Sequence, residues 1–128
     1  MESDEQVSSE RPFLTGLAPE VREWLEGVTE GIAIEEATIS LRLYTAGEGP
    51  NSTLAIVNLK AIFGEYPEER FHLEVVNILE DPLRAIADNV LVTPTLLRIS
   101  PLPAKRIVGN LSNRAKVTAA LGLGGNNR

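Results

Sequence analysis

Cysteine is absent from this 128-residue chain, and histidine occurs only once. The first absence excludes a disulfide framework, a thiol nucleophile, a Cys-ligated zinc and an iron–sulfur cluster. The second excludes a His-based metal site. His72 lies in the alternating run Phe71-His72-Leu73-Glu74-Val75, where the solvent face of a strand is its expected place. With three Phe, two Tyr and one Trp, the chain has no aromatic-plus-basic platform for nucleic acid. No apolar run approaches the roughly 20 residues of a membrane span. The start, MESDEQVSSERPF, lacks the basic and apolar regions of a secretory leader, so a cytoplasmic protein is expected. No catalytic residue, metal or cofactor is expected.

The charge is divided unevenly. Residues 1–37 hold ten acidic and two basic side chains, a net of −8, whereas the other 91 hold eight and ten, a net of +2. Length allows one domain with a real core. The expected organisation is an acidic N-terminal extension over 1–37 with a helix near 19–28, a domain over 38–124, and a flexible tail at 125–128. Residues 1–12 have no apolar period and read as a flexible arm.

Leu17, Val21, Trp24, Leu25 and Val28 recur at helical spacing, with Pro19 suited to a first turn. This apolar stripe needs a partner, either its own domain or another chain. Thr38–Tyr44 alternates as a strand with Ile39, Leu41 and Leu43 on one face. Asn51 or Ser52 can cap a helix carrying Ile56, Leu59, Ile62 and Phe63 up to Pro67. Phe71–Ile78 is a second strand, placed in the sheet interior because Val75-Val76 is apolar on both faces. A short helix follows Asp81-Pro82 and ends near Asn89. Pro94 marks the entry of a strand through Ile99, Pro101 and Pro103 form a turn, and Arg106–Gly109 pairs as a hairpin. Asn110-Leu111-Ser112 caps a final helix over residues 113–123. The order β-α-β-α-β-β-α, a parallel pair followed by a hairpin, defines an α/β thioredoxin-like fold preceded by a short amphipathic helix.

Three stretches carry a resemblance. They are Leu43-Tyr44-Thr45-Ala46-Gly47 with Pro50-Asn51-Ser52, then Val92-Thr93-Pro94-Thr95-Leu96, then Ile107–Arg114 with Lys116-Val117. In order and spacing they are similar to the signature blocks of the KaiB family of circadian clock proteins, over roughly residues 38–123. The resemblance implies a non-catalytic protein-binding module of a clock or signalling system whose partner is a KaiC-like ring ATPase. It adds KaiA-like proteins and histidine kinases as further partners, and a choice between monomer and homo-oligomer. It also implies two folds for one sequence, a tetrameric ground form and a thioredoxin-like monomer competent for KaiC.

This chain departs from the family at Ala115, where a glutamate would complete a capping box, and at Ala120 and Gly122, where a glycine and an acid are usual. Ala in place of Gly favours helix by about 1 kcal/mol, so the thioredoxin-like form is expected to persist without appreciable switching. Asn89, Leu54 and Val57 stand where clock KaiB proteins are commonly basic.

The loop from Ala46 to Ser52 occupies the place of the thioredoxin cysteines, so no redox mechanism is available. Pro94 resembles the cis-proline facing that loop. The expected partner surface comprises Asn51, Lys105, Arg106, Gly109, Asn110, Arg114 and Lys116, the four basic side chains forming a patch that steers an acidic partner. Two alternatives remain: an adaptor domain resembling the sensor region of a clock histidine kinase, and a glutathione-transferase-like enzyme fragment in which Tyr44 and Ser52 mimic the catalytic hydroxyl.

Overall fold

Three of the eight prolines start helices, where a first-turn residue has no intrahelical use for an N–H. They divide a chain that a computed structural model describes over residues 17–47 and 49–123. Helix α1 spans Pro19–Glu30 and is followed by a 3-10 turn at Ile34–Glu36. Strand β1 (Ile39–Thr45) leads to α2 (Pro50–Gly64), and β2 (Phe71–Asn77) to α3 (Pro82–Ala87). Strands β3 (Thr95–Ser100) and β4 (Lys105–Val108) form a hairpin, and α4 (Arg114–Leu121) closes the domain. The four strands lie in the order β2-β1-β3-β4. β1 runs parallel to β2, with Ile39 opposite Phe71 and Thr45 opposite Asn77. It runs antiparallel to β3, with Leu43 opposite Leu96, and β3 pairs with β4 through Leu96 and Ile107.

Each face of the sheet has its own core. On one, Leu41, Leu43, Leu73 and Leu96 pack with Leu59 of α2, Val117 of α4 and Leu25 of α1. On the other, Tyr44, Val76 and Leu97 pack with Ala85 of α3. The alternation in β1 therefore sorts residues between two apolar layers, with Ile39, Leu41 and Leu43 on one side and Tyr44 on the other.

Helix α1 docks on its own domain. Val21 and Leu25 are buried, and Trp24 stacks obliquely on Phe63 at 5.5 Å, which in turn lies flat on Phe71 at 3.8 Å. Burial of Leu25 alone contributes about 1.5–3 kcal/mol. The helix runs two residues beyond the expected end, to Glu30.

Four local expectations are corrected. β2 is an edge strand; it reads as interior because α1 and α3 cover its two faces. Neither Asn51 nor Ser52 caps α2: Pro50 is already helical, Gly49 is the cap residue without a side-chain bond, and Ser52 is buried in the first turn. The last helix is capped by Asn113, whose side chain accepts from the Lys116 N–H at 3.1 Å, and not by Ser112. His72 is half-buried, with Nδ1 3.1 Å from the Ile32 carbonyl oxygen, because the segment after α1 crosses its strand. Residues 1–16 and 124–128, and with them the expected flexible arm and tail, lie outside the described residues.

Candidate partner-binding surface

The three stretches singled out in the sequence meet at one end of the sheet. Gly47 takes a positive φ of 74° as β1 turns toward α2, and its N–H donates to Asn77 Oδ1 at 3.0 Å. The same oxygen accepts from the Leu79 N–H at 3.0 Å, so one buried amide ties together the exits of both parallel strands. The Thr93-Pro94 peptide is cis, as the sequence led one to expect, and the Pro94 carbonyl accepts from the Gly109 N–H at 2.9 Å. Asn110 reaches Asn51 Oδ1 with its side-chain amide at 3.4 Å, and its carbonyl accepts from Asn58 Nδ2 at 2.8 Å. Gly109, Asn110 and Lys116 line a shallow cleft of about 130 Å³ together with Ser112 and Asn113.

The basic side chains are dispersed. Lys105 and Arg106 point to opposite faces of β4 by strand alternation. Arg106 is tethered, donating to the Asp88 carbonyl at 2.7 Å and the Asn89 carbonyl at 3.1 Å. Arg114 is paired with Glu65 at the end of α2. Asn51, Gly109, Asn110, Lys116 and Pro94 are thus joined through these bonds and the cleft, whereas Arg106 and Arg114 are engaged by the Asp88–Asn89 turn and by Glu65, and Lys105 lies on the other face of β4 from Arg106.

Two features escape the sequence. The first is an ion-pair network beneath α3. Arg84 grips Glu74 with two bonds of 2.6 and 2.9 Å, and Arg42 donates to Glu74 at 3.0 Å and to Asp88 at 2.9 Å. The Tyr44 hydroxyl lies 2.5 Å from Asp88 Oδ2 and 3.0 Å from the Arg84 carbonyl. The bond from Arg84, helped by Arg42 and opposed by burial, holds the Glu74 carboxyl down at about 2. Burial opposes the charge on Asp88, but the bonds from Tyr44 and Arg42 outweigh it and keep its carboxyl below the usual range. Burial, reinforced by the adjacent Asp88 carboxylate, pushes Tyr44 up to about 12. The Tyr44 phenol is thus less acidic than a free one, and Ser52 is buried in the first turn of α2.

The second feature is apolar. Ala85 is the face of α3 turned to the sheet, which leaves Leu83 and Ile86 pointing outward, 74% and 69% exposed. Val90 returns beneath the helix through its N–H bond to the Ala85 carbonyl, and the next residues, Leu91 and Val92, are again exposed, Leu91 by 90%. With Leu79, which lies against the Gly47 turn, they make five large exposed apolar side chains within residues 79–92, an apolar ridge along the segment that leads into Pro94. The available signal was an apolar excess over residues 79–92 larger than a two-turn helix can bury on one face. Among the described residues no group of three or more His, Asp or Glu side chains is placed to hold a metal ion, and no helix is long and apolar enough to cross a membrane.

Residues 42–123 match the family model of the KaiB domain. The circadian clock oscillator protein KaiB of Synechococcus elongatus is 43% identical over 86 residues, covering 67% of this chain and 84% of the relative. KaiB of Microcystis aeruginosa is 39% identical over 92 residues, covering 72% and 88%. Among solved structures, the N-terminal domain of Synechococcus elongatus SasA superposes with a TM-score of 0.58 at 21% identity, covering 71% of this chain and 89% of that one. Chloroplastic thioredoxin z gives 0.57 at 17%, covering 79% and 86%. These two likenesses establish the thioredoxin-like fold.

Proposed function

The chain belongs to the KaiB family, and from that premise we propose that it is a non-catalytic, cytoplasmic binding module that docks on a KaiC-like ring ATPase. The observation that supports this reading most directly is the ridge of Leu79, Leu83, Ile86, Leu91 and Val92 beside the convergent turns at Pro94 and Gly109-Asn110. Soluble domains seldom leave so many large apolar side chains together without a partner to cover them. The ridge supplies the desolvated centre of the interface, and Asn51, Asn110 and Lys116 its polar rim. Lys105 and Arg106 act at longer range, steering an acidic surface toward the ridge. KaiA-like proteins and histidine kinases are further partners of the same system.

Association kinetics on an immobilised KaiC-like ATPase with ATP test this division of labour. Leu91→Asp should abolish binding, while Lys105→Glu should slow association and leave dissociation nearly unchanged. Wild-type kinetics for Leu91→Asp would refute the ridge.

A further inference from the structure

Helix α2 is apolar toward solvent as well as toward the core. Its 15 residues carry a single charged side chain, Lys60. Leu59 and Ile62 are buried, whereas Pro50, Leu54, Val57, Ala61 and Gly64 are exposed, Leu54 by 45% and Val57 by 39%. At the helical repeat these five exposed positions fall within about 80° of the helix circumference. A surface helix ordinarily carries charge on that side. Apolar residues at alternating steps of four and three instead make the seam along which two helices pack. A Cβ on Gly64 would meet nothing within 4 Å, so the seam is open at its C-terminal end.

The flanks of the seam select its occupant. Asn51, Asn58 and Glu65 follow one side, toward α4: Asn58 Nδ2 donates to the Asn110 carbonyl at 2.8 Å, and Glu65 pairs with Arg114. Thr53 and Lys60 follow the other side, toward α1, whose Trp24 rests on Phe63. On this face of the sheet α1 packs along β2 and α4 along β4, the two opposite edges, with α2 between them. Helix α1 holds Glu20, Glu23, Glu26 and Glu30 against Arg22, a net of −3, whereas α4 holds Arg114 and Lys116 and no acid, a net of +2. A second copy whose α2 runs parallel, related by a two-fold axis along the helices, brings opposite charges together. Each Lys60 then meets Glu65 of the second copy, and each α1 faces the second copy's α4. An antiparallel pair would set α1 against α1 and α4 against α4, like charge against like.

We propose that α2 is the seam of a parallel homodimer, in which Leu54, Val57, Ala61 and Gly64 layer against their counterparts between two Lys60–Glu65 pairs. Helix α2 lies on the face of the sheet opposite α3, so the apolar ridge stays uncovered and the dimer presents two of them. The dimer does not depend on the function proposed above. One helix face is smaller than the about 800 Å² per partner of a standard interface, so half-association is expected at about 100 µM.

Sedimentation equilibrium of the full-length chain, from about 10 µM to about 1 mM, tests the seam. The weight-average mass should climb from 13.9 kDa toward twice that value. Val57→Lys sets two ammonium groups against each other across the axis and should hold the mass at the monomer value, with circular dichroism unchanged. Because the chain has no cysteine, Leu54→Cys supplies a single thiol that faces its own counterpart in the parallel pair and should oxidise to a covalent dimer. In an antiparallel pair the two thiols would stand about 10 Å apart along the helix axis and stay reduced. Leu83→Cys, on α3, should remain monomeric. A wild-type mass that stays monomeric at about 1 mM would overturn the proposal and leave the seam to a different protein. So would a Val57→Lys dimer, or disulfide formation by Leu83→Cys in place of Leu54→Cys, since the contact would then lie at the ridge. A reversible wild-type dimer in which Leu54→Cys stays reduced would overturn the parallel arrangement.

Discussion

The Tyr44 hydroxyl, carried at the end of β1, lies 2.5 Å from the Asp88 carboxylate, in the turn that ends α3. A short helix with one buried residue, Ala85, has little apolar contact to hold it. Its position depends instead on this bond and on the Arg84–Glu74 pair, which together fasten the ridge-bearing segment to the sheet.

Tyr44 should ionise near 12. In a Tyr66→Phe background, which leaves Tyr44 as the sole tyrosine, absorbance titration at alkaline pH reads it alone. Asp88→Asn, by removing the carboxylate, should lower that midpoint part of the way, with burial holding it above the usual phenol value. An unchanged midpoint would show that burial acts by itself.

Acid should weaken the fold through Glu74 and Asp88. A carboxyl whose folded pKa lies below its unfolded value stabilises the fold above the unfolded value and loses that contribution as pH falls through the folded one. Stability measured by urea unfolding should therefore decline from about pH 4.5 toward pH 2, the window set by Glu74. Glu74→Gln should be less stable at pH 7 and show a shallower decline; parallel curves for the two proteins would contradict the network.

The N-terminal helix should be integral to the core. Leu25→Ala is expected to cost about 2–5 kcal/mol, because Leu25 is 2% exposed among the residues of the larger core. Trp24 fluorescence and far-UV circular dichroism should report one coincident transition. A separate early Trp24 transition would make α1 an independently melting element.

Gly122 closes α4 with a positive φ of 80°, and a Cβ there would lie 3.3 Å from Arg98 Nη1. Gly122→Ala should cost at least about 1 kcal/mol of stability in the thioredoxin-like form. A gain in stability would indicate that the chain rests in another form, in which this cap is not made.

The order of elements was legible because period-two and period-3.6 patterns are well separated along this chain and prolines punctuate them. Pro94 and Gly109 were legible as turn residues whose backbone demands are specific. The edge position of β2 was not, since an edge strand covered on both faces has the same apolar content as an interior one. Capping by Asn113 in place of Ser112 depends on one residue of helix phase, below the precision with which sequence marks a helix start. The dispersal of Arg106 and Arg114 could not be read because their partners, the Asp88 and Asn89 carbonyls and Glu65, are distant in sequence. The ridge was hidden by its own apolar residues, which read as core until the brevity of α3 shows that only Ala85 is buried.

The central claim, that this member of the KaiB family is a binding module for a ring ATPase, is tested most directly by size-exclusion chromatography with light scattering. The purified chain is mixed with a KaiC-like ATPase and ATP and followed over hours. A ring-sized complex containing this chain, lost in Leu91→Asp, is the expected result. Separate elution of the two proteins after prolonged incubation, with the chain folded, would contradict it.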